Sequence, residues 1–126
     1  MVKLRDIYYC EICGNVVEIL NEGQPALVCC GQDMKLLKAK TQDSSLEKHV
    51  PFIEETAGGV LVKVGQNQEH PMLENHFIKF IEILTKDKVC RHELKPGMKP
   101  QAEFPVRKKD ILSAREWCNI HGLWES

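Results

Sequence analysis

Apolar residues fall in short alternating runs along this chain, separated by glycine, proline and asparagine. In the first quarter "VVEIL" reads as a strand, "NEGQPA" as a turn and "LVCCG" as a second strand. Residues 38–48, "KAKTQDSSLEK", are polar and rich in Ser and Asp, and read as a linker. From His49 onward the runs lengthen: "HVPFIEE", the turn "TAGG", "VLVKVG", "HFIKFIEILT", "KVCRHEL", the turn "KPGMKP", "AEFPVR" and "ILSAREWC". "HFIKFIEILTK" is ambiguous, because Phe77, Phe80, Ile81 and Leu84 also share a helical face. Its Phe/Ile enrichment and its strand-rich surroundings decide for a strand. The pattern predicts an all-β chain: a small first domain over 1–37, a linker and the start of the second domain over 38–48, and an antiparallel sandwich over 49–126.

Composition narrows the function classes. Of 126 residues 28% are charged and the net charge is −1, with no basic stripe for nucleic acid and no acidic tail. The start, "MVKLRDIYYCEICG", lacks the apolar stretch of a secretory signal, and no run approaches the roughly 18 apolar residues that span a bilayer. A cytoplasmic protein without membrane or nucleic-acid partners is expected. In that reducing compartment the six cysteines point to metal or redox chemistry over disulfides.

The cysteines and histidines are segregated. Cys10, Cys13, Cys29 and Cys30 lie in the first quarter, whereas His49, His70, His76, His92 and His121 all lie later, with Cys90 and Cys118. Cys10-x-x-Cys13-Gly14 has the form of a metal knuckle, the glycine allowing a tight turn with backbone N–H groups facing sulfur. So short a segment cannot bury enough apolar surface to fold alone, and a bound metal can supply the missing stability. A structural zinc and an iron both remain open here. The adjacent pair Cys29-Cys30 argues against an ordinary zinc ribbon, whose second pair is spaced like the first. Any single histidine is more often a surface or satisfied polar residue than a ligand. His92, mid-strand among charged neighbours, fits that description, and Cys90 reads as a small buried apolar side chain.

The remaining residues gain meaning as a set. Glu47-Lys48-His49-Val50-Pro51, His70-Pro71-Met72 followed by His76, and Cys118-Asn119-x-His121-Gly122-x-Trp124 resemble the signature of superoxide reductases. Cys10-x-x-Cys13 with Cys29-Cys30 is similar to desulforedoxin, and both in this order resemble the desulfoferrodoxins, the two-iron superoxide reductases, over essentially the whole chain. One-iron members lack the cysteine knuckles, which this chain keeps. Leu73 stands at a position commonly acidic in the family, which bears on local surface charge alone.

The resemblance implies two mononuclear irons per chain. Centre I would be a rubredoxin-like tetrathiolate of Cys10, Cys13, Cys29 and Cys30. Centre II would have His49, His70, His76 and His121 around its equator and Cys118 as axial ligand. It also implies a desulforedoxin-like domain followed by an immunoglobulin-like sandwich, a homodimer, and a small electron donor such as a rubredoxin. Superoxide would be reduced to hydrogen peroxide. Four neutral imidazoles suit ferrous iron, and a fifth, thiolate ligand leaves one position open opposite the sulfur. Thiolate pushes electron density onto iron, and the Cys-x-x-His turn is expected to aim the N–H groups of Ile120 and His121 at the sulfur to temper that push. Within the family resemblance, Glu47 is a sixth ligand to the oxidised iron and Lys48 attracts the anion. A rubredoxin-like electron-transfer protein using the first site alone is the competing reading, and a zinc-structural module without catalysis a weaker one.

Overall fold

Runs that alternate with a period of two put one face of a strand inward, and the longest such runs here form the larger part of the fold. In the computed structural model, which describes residues 2–42 and 48–126, the chain divides into two units, Met1–Lys38 and Ala39–Ser126. The described residues contain no α-helix, and no helix among them is long and apolar enough to cross a membrane.

The first unit has strands β1 (Ile7–Tyr9), β2 (Val16–Glu18), β3 (Val28–Cys29), β4 (Gln32–Asp33) and β5 (Lys35–Leu37). β1 lies between β2 and β5 in an antiparallel sheet, and β3 pairs with β4. The β3–β4 turn is Cys30-Gly31, with φ of +53° and +78°. A two-residue hairpin with two left-handed residues is a type I′ turn, and glycine suits its second position. β1 and β5 are strands that the hydrophobic pattern does not announce.

The second unit holds β6 (Pro51–Thr56), β7 (Gly59–Val64), β8 (Ile78–Leu84), β9 (Val89–Glu93), β10 (Gln101–Phe104), a 3₁₀ turn (Lys108–Asp110), β11 (Ser113–Cys118) and β12 (Gly122–Glu125). Two antiparallel sheets result, in the orders β10-β7-β6 and β12-β11-β8-β9. The ambiguous "FIKFIEIL" segment is strand β8. Its Ile81 and Ile83 join Val60, Val62, Val64, Leu94, Phe104 and Ala114 in the core. The run "AEFPVR" leaves the ladder at Phe104, because Pro105 has no N–H to donate. "ILSAREWC" starts its strand only at Ser113, after the 3₁₀ turn.

β8 also carries a buried charge. Glu82 is wholly buried on the face away from the core, where Arg91 Nε and Arg115 Nε each donate to it at 2.7 Å. Cys90 is half-buried and packs against the core, and His92 Nε2 lies 2.9 Å from the Glu103 carbonyl, its ring edge-on to Phe104.

Candidate metal centres

In the first unit, two turns bring four sulfurs together. Cys10 ends the β1 sheet, where its N–H donates to the Asn15 carbonyl and its carbonyl accepts from Gly14 N–H, both at 2.9 Å. Gly14 has φ of +83°, which the knuckle needs and other residues resist. The type I′ turn presents Cys29 and Cys30 from the other side. All four Sγ atoms lie within 4.8 Å of one another, with Cys13 and Cys29 at 3.5 Å. The backbone N–H of Cys13, assisted by that of Ile12, lowers the Cys10 thiol to about 6. Hydrogen bonding to the Cys13 and Cys10 side chains raises Cys29, and pushes Cys30 up to about 12. The Cys10 thiolate is therefore favoured while Cys29 and Cys30 hold their protons. Only a cation at the centre lets all four ionise, and an S₄ donor set suits iron or zinc.

The second site lies at one end of the sandwich. His49 precedes β6, His70 and His76 sit in the loop from β7 to β8, Cys118 ends β11, and His121 closes the hairpin to β12. Their ligand atoms lie within 4.8 Å of one another. The four rings form a closed cycle: His49–His70 at 5.0 Å, His70–His76 at 4.8 Å, His76–His121 at 5.1 Å and His121–His49 at 4.6 Å, each pair edge-on. Cys118 Sγ, wholly buried, is 3.8 Å from His121 Nδ1.

Local structure aims each ring. Gly65 opens the β7–β8 loop with φ of +92°, and a Cβ there would stand 2.1 Å from the Gln68 carbonyl oxygen, so only glycine fits. His70 is 2% exposed, and its Nδ1 lies 2.7 Å from the Pro71 carbonyl. That contact requires the proton on Nδ1 and turns the Nε2 lone pair toward the cycle. Burial lowers the His70 pKa to about 4, so the ring stays neutral at ordinary pH. Leu73 and His76 exchange backbone hydrogen bonds at 2.8 and 3.2 Å, tightening the loop.

The Cys118 thiol is raised by burial, an effect opposed by the backbone N–H groups of His121 and then Ile120, which point at the sulfur. Asn119 works outward: its Oδ1 accepts from Phe77 N–H at 2.8 Å and its amide donates to the Asn75 carbonyl at 3.1 Å. It thereby ties the Cys118–His121 turn to the loop that carries His76.

Buried polar atoms test whether this donor set fits a metal. His70 Nε2 and His76 Nε2 are buried with no hydrogen-bond partner, and His49 Nε2 faces His121 Nδ1 at 3.0 Å. Orphaned lone pairs converging on one point beside a thiol are costly unless a cation takes them. An N₄S set with no carboxylate suits ferrous iron and excludes the hard cations magnesium and calcium.

His92 lies elsewhere, on β9. Lys48 adjoins His49 and is half-buried, and Glu47 lies outside the described residues. Two further side chains flank the site without being ligands: Trp124 stacks on the His49 ring at 4.6 Å and 16°, and Lys40 lies 5.1 Å from the Trp124 ring centre. Trp124 closes the quoted motif, but Lys40 sits in a stretch that reads as a linker.

Comparisons with known proteins follow both units. The family described as "Desulfoferrodoxin" matches residues 41–126, and "Desulfoferrodoxin, N-terminal domain" matches 3–37. A desulfoferrodoxin homolog from Methanothermobacter thermautotrophicus is 51% identical over 124 residues, covering 98% of this chain and 99% of its own. A desulfoferrodoxin from Nitratidesulfovibrio vulgaris is 50% identical over 126 residues, covering 100% and 98%. Among solved structures, the superoxide reductase from Treponema pallidum superposes with a TM-score of 0.77 at 26% identity, over 96% of each chain.

Proposed function

The chain belongs to the desulfoferrodoxin family, and from that premise we propose that it is a superoxide reductase, an oxidoreductase that converts superoxide, one electron and two protons to hydrogen peroxide. Its cofactors are two mononuclear irons, a tetrathiolate held by Cys10, Cys13, Cys29 and Cys30 and a second iron held by His49, His70, His76, His121 and Cys118. The observation that carries this reading is the closed cycle of four imidazoles with a buried thiol beside it. A protein that only transferred electrons through the cysteine site would leave that cycle without a role.

Ferrous iron held by His49, His70, His76, His121 and Cys118 would supply the electron and take up a small anion. The protein's own groups set the terms. His70, kept neutral by burial and held by the Pro71 carbonyl, offers a lone pair without competition from a proton. Cys118 must lose its proton to serve as ligand, and the N–H groups of His121 and Ile120 stabilise the thiolate that burial disfavours. The same hydrogen bonds draw electron density back from the sulfur and moderate its donation. His121 is exposed, so water can reach that side of the site and deliver protons. Lys48 provides a local positive charge beside His49, needed because the whole chain carries −1 and offers an anion no general attraction. The family resemblance, and not the described residues, is what gives Glu47 a part: its carboxylate would join the ligands once the iron is oxidised. We place the protein in the cytoplasm as a homodimer of 1–37 and 49–126 domains joined by 38–48, re-reduced by a small donor such as a rubredoxin.

Visible spectra of the oxidised protein test the reading. Two bands are expected, one from a red ferric tetrathiolate and one at longer wavelength from a ferric thiolate with histidines, together with disappearance of added superoxide. A colourless, zinc-loaded protein inert to superoxide would overturn it.

A further inference from the structure

Lys40 is held at the second centre by more contacts than a linker residue needs. Its backbone is stitched to β12: Lys40 N–H donates to the Leu123 carbonyl and Glu125 N–H donates to the Lys40 carbonyl, both at 2.9 Å. Its side chain turns back along the strand, where Nζ donates to the His121 carbonyl at 3.1 Å. Trp124 Nε1 donates to the same carbonyl at 3.1 Å. The ammonium also lies 5.1 Å from the Trp124 ring centre, within cation–π range, and the indole stacks on His49. One lysine thus touches the peptide of His121 directly and reaches His49 through Trp124.

We propose that Lys40 is a positioning residue of the histidine–cysteine centre, fixing the Cys118–His121 turn through the His121 carbonyl and setting a positive charge beside the ligands that raises the reduction potential. The inference rests on the ligand set proposed above. Its physical basis is Coulombic: a cation near a redox centre favours the form with less positive charge, here the ferrous one. A unit charge several ångströms away acts on the centre even at an effective dielectric near 20, and exposure of the lysine screens much of that interaction. A shift of roughly three- to tenfold in the ferrous/ferric equilibrium is expected, up to about 59 mV for a one-electron couple.

Redox titration of the two-iron protein with optical detection tests this, with the cysteine centre of the same chain as internal reference. Lys40→Met should shift the histidine–cysteine centre toward the ferric form by that factor and leave the cysteine centre unchanged, with the shift shrinking in high salt. Lys40→Gln keeps a donor for the His121 carbonyl without the charge, so it should hold its iron and show the same shift. Lys40→Arg should restore the wild-type potential. An unchanged potential in Lys40→Gln, with both bands intact, would overturn the role of the charge. So would an arginine variant that behaves like glutamine. If the wild type itself lacked the longer-wavelength band, the ligand set and this inference would fall together.

Discussion

The two units hold their centres by different means. Among the described residues, the buried apolar side chains of the first unit are Val2, Ile7, Cys10 and Ile19, and one of these, Cys10, is itself a proposed ligand. The second unit packs a continuous core from both sheets, with Ile78, Ile81 and Ile83 of β8 against Val60, Val62 and Val64 of β7, and the histidine–cysteine cluster sits at its edge. In the first unit the metal is part of the core. In the second it is carried by a core that already exists. Iron removal should therefore unfold one unit and merely empty the other.

The cysteine centre should respond most strongly. Removing metal with a chelator, or replacing Cys13 by Ser, should cost the first unit most of a metal-binding free energy on the order of 10 kcal/mol, enough to unfold it. Amide hydrogen exchange should then show 1–38 unprotected while β7 and β8 keep full protection. The variant should still reduce superoxide when supplied with an artificial reductant, since no ligand of the second centre depends on Cys13. Loss of protection across both units would show that they share one stability.

A smaller effect probes the sandwich alone. Glu82→Ala leaves Arg115, itself buried, facing a site without its carboxylate. Breaking a buried pair from one side costs about 3–5 kcal/mol. Denaturant unfolding should show that loss in the second unit with the first unit's tetrathiolate spectrum unaltered. A change below about 1 kcal/mol would mean that the pair contributes no more than a surface bridge.

Acid distinguishes the units differently. In the iron-free protein His70 stays neutral until about pH 4, whereas an unfolded chain protonates it near its ordinary 6.5. Between those values the unfolded state binds more protons, so stability falls as pH drops through the window, by about 3 kcal/mol in all. The sandwich of apo protein should lose that stability between pH 6.5 and 4, and His70→Gln should flatten the slope. An equal slope in the variant would assign the proton uptake to another group.

The smallest effect concerns encounter. Lys48→Ala should slow the second-order reaction of ferrous protein with superoxide roughly tenfold, about 1.4 kcal/mol, and flatten its salt dependence while both irons stay bound. Pulse radiolysis across a salt series measures it. A wild-type rate and slope would leave Lys48 a solvated surface charge.

What the sequence made legible follows period and spacing. The strand at 78–84 could be read because β-branched and aromatic residues fill a run between turn signals, and the nine cysteine and histidine positions could be grouped because their order resembles a known family. β1, β4, β5 and β12 escaped, being two to four residues long and too short to show a period. Nothing in the sequence marks the carboxylate of Glu82 as buried, since its two arginines come from β9 and β11 and meet it only across the sheet. Lys40 escaped for a related reason. Its neighbours are polar, and its pairing with β12 joins residues more than eighty positions apart.

A reductase, unlike a dismutase, reduces superoxide at its second centre without oxidising any. Rapid mixing of the fully ferrous protein with a known amount of superoxide, under anaerobic conditions, tests it through the products. One hydrogen peroxide is expected for each superoxide consumed, with one centre oxidised per event and no O₂ released. Peroxide at half that yield with matching O₂ would be dismutation, and would contradict it.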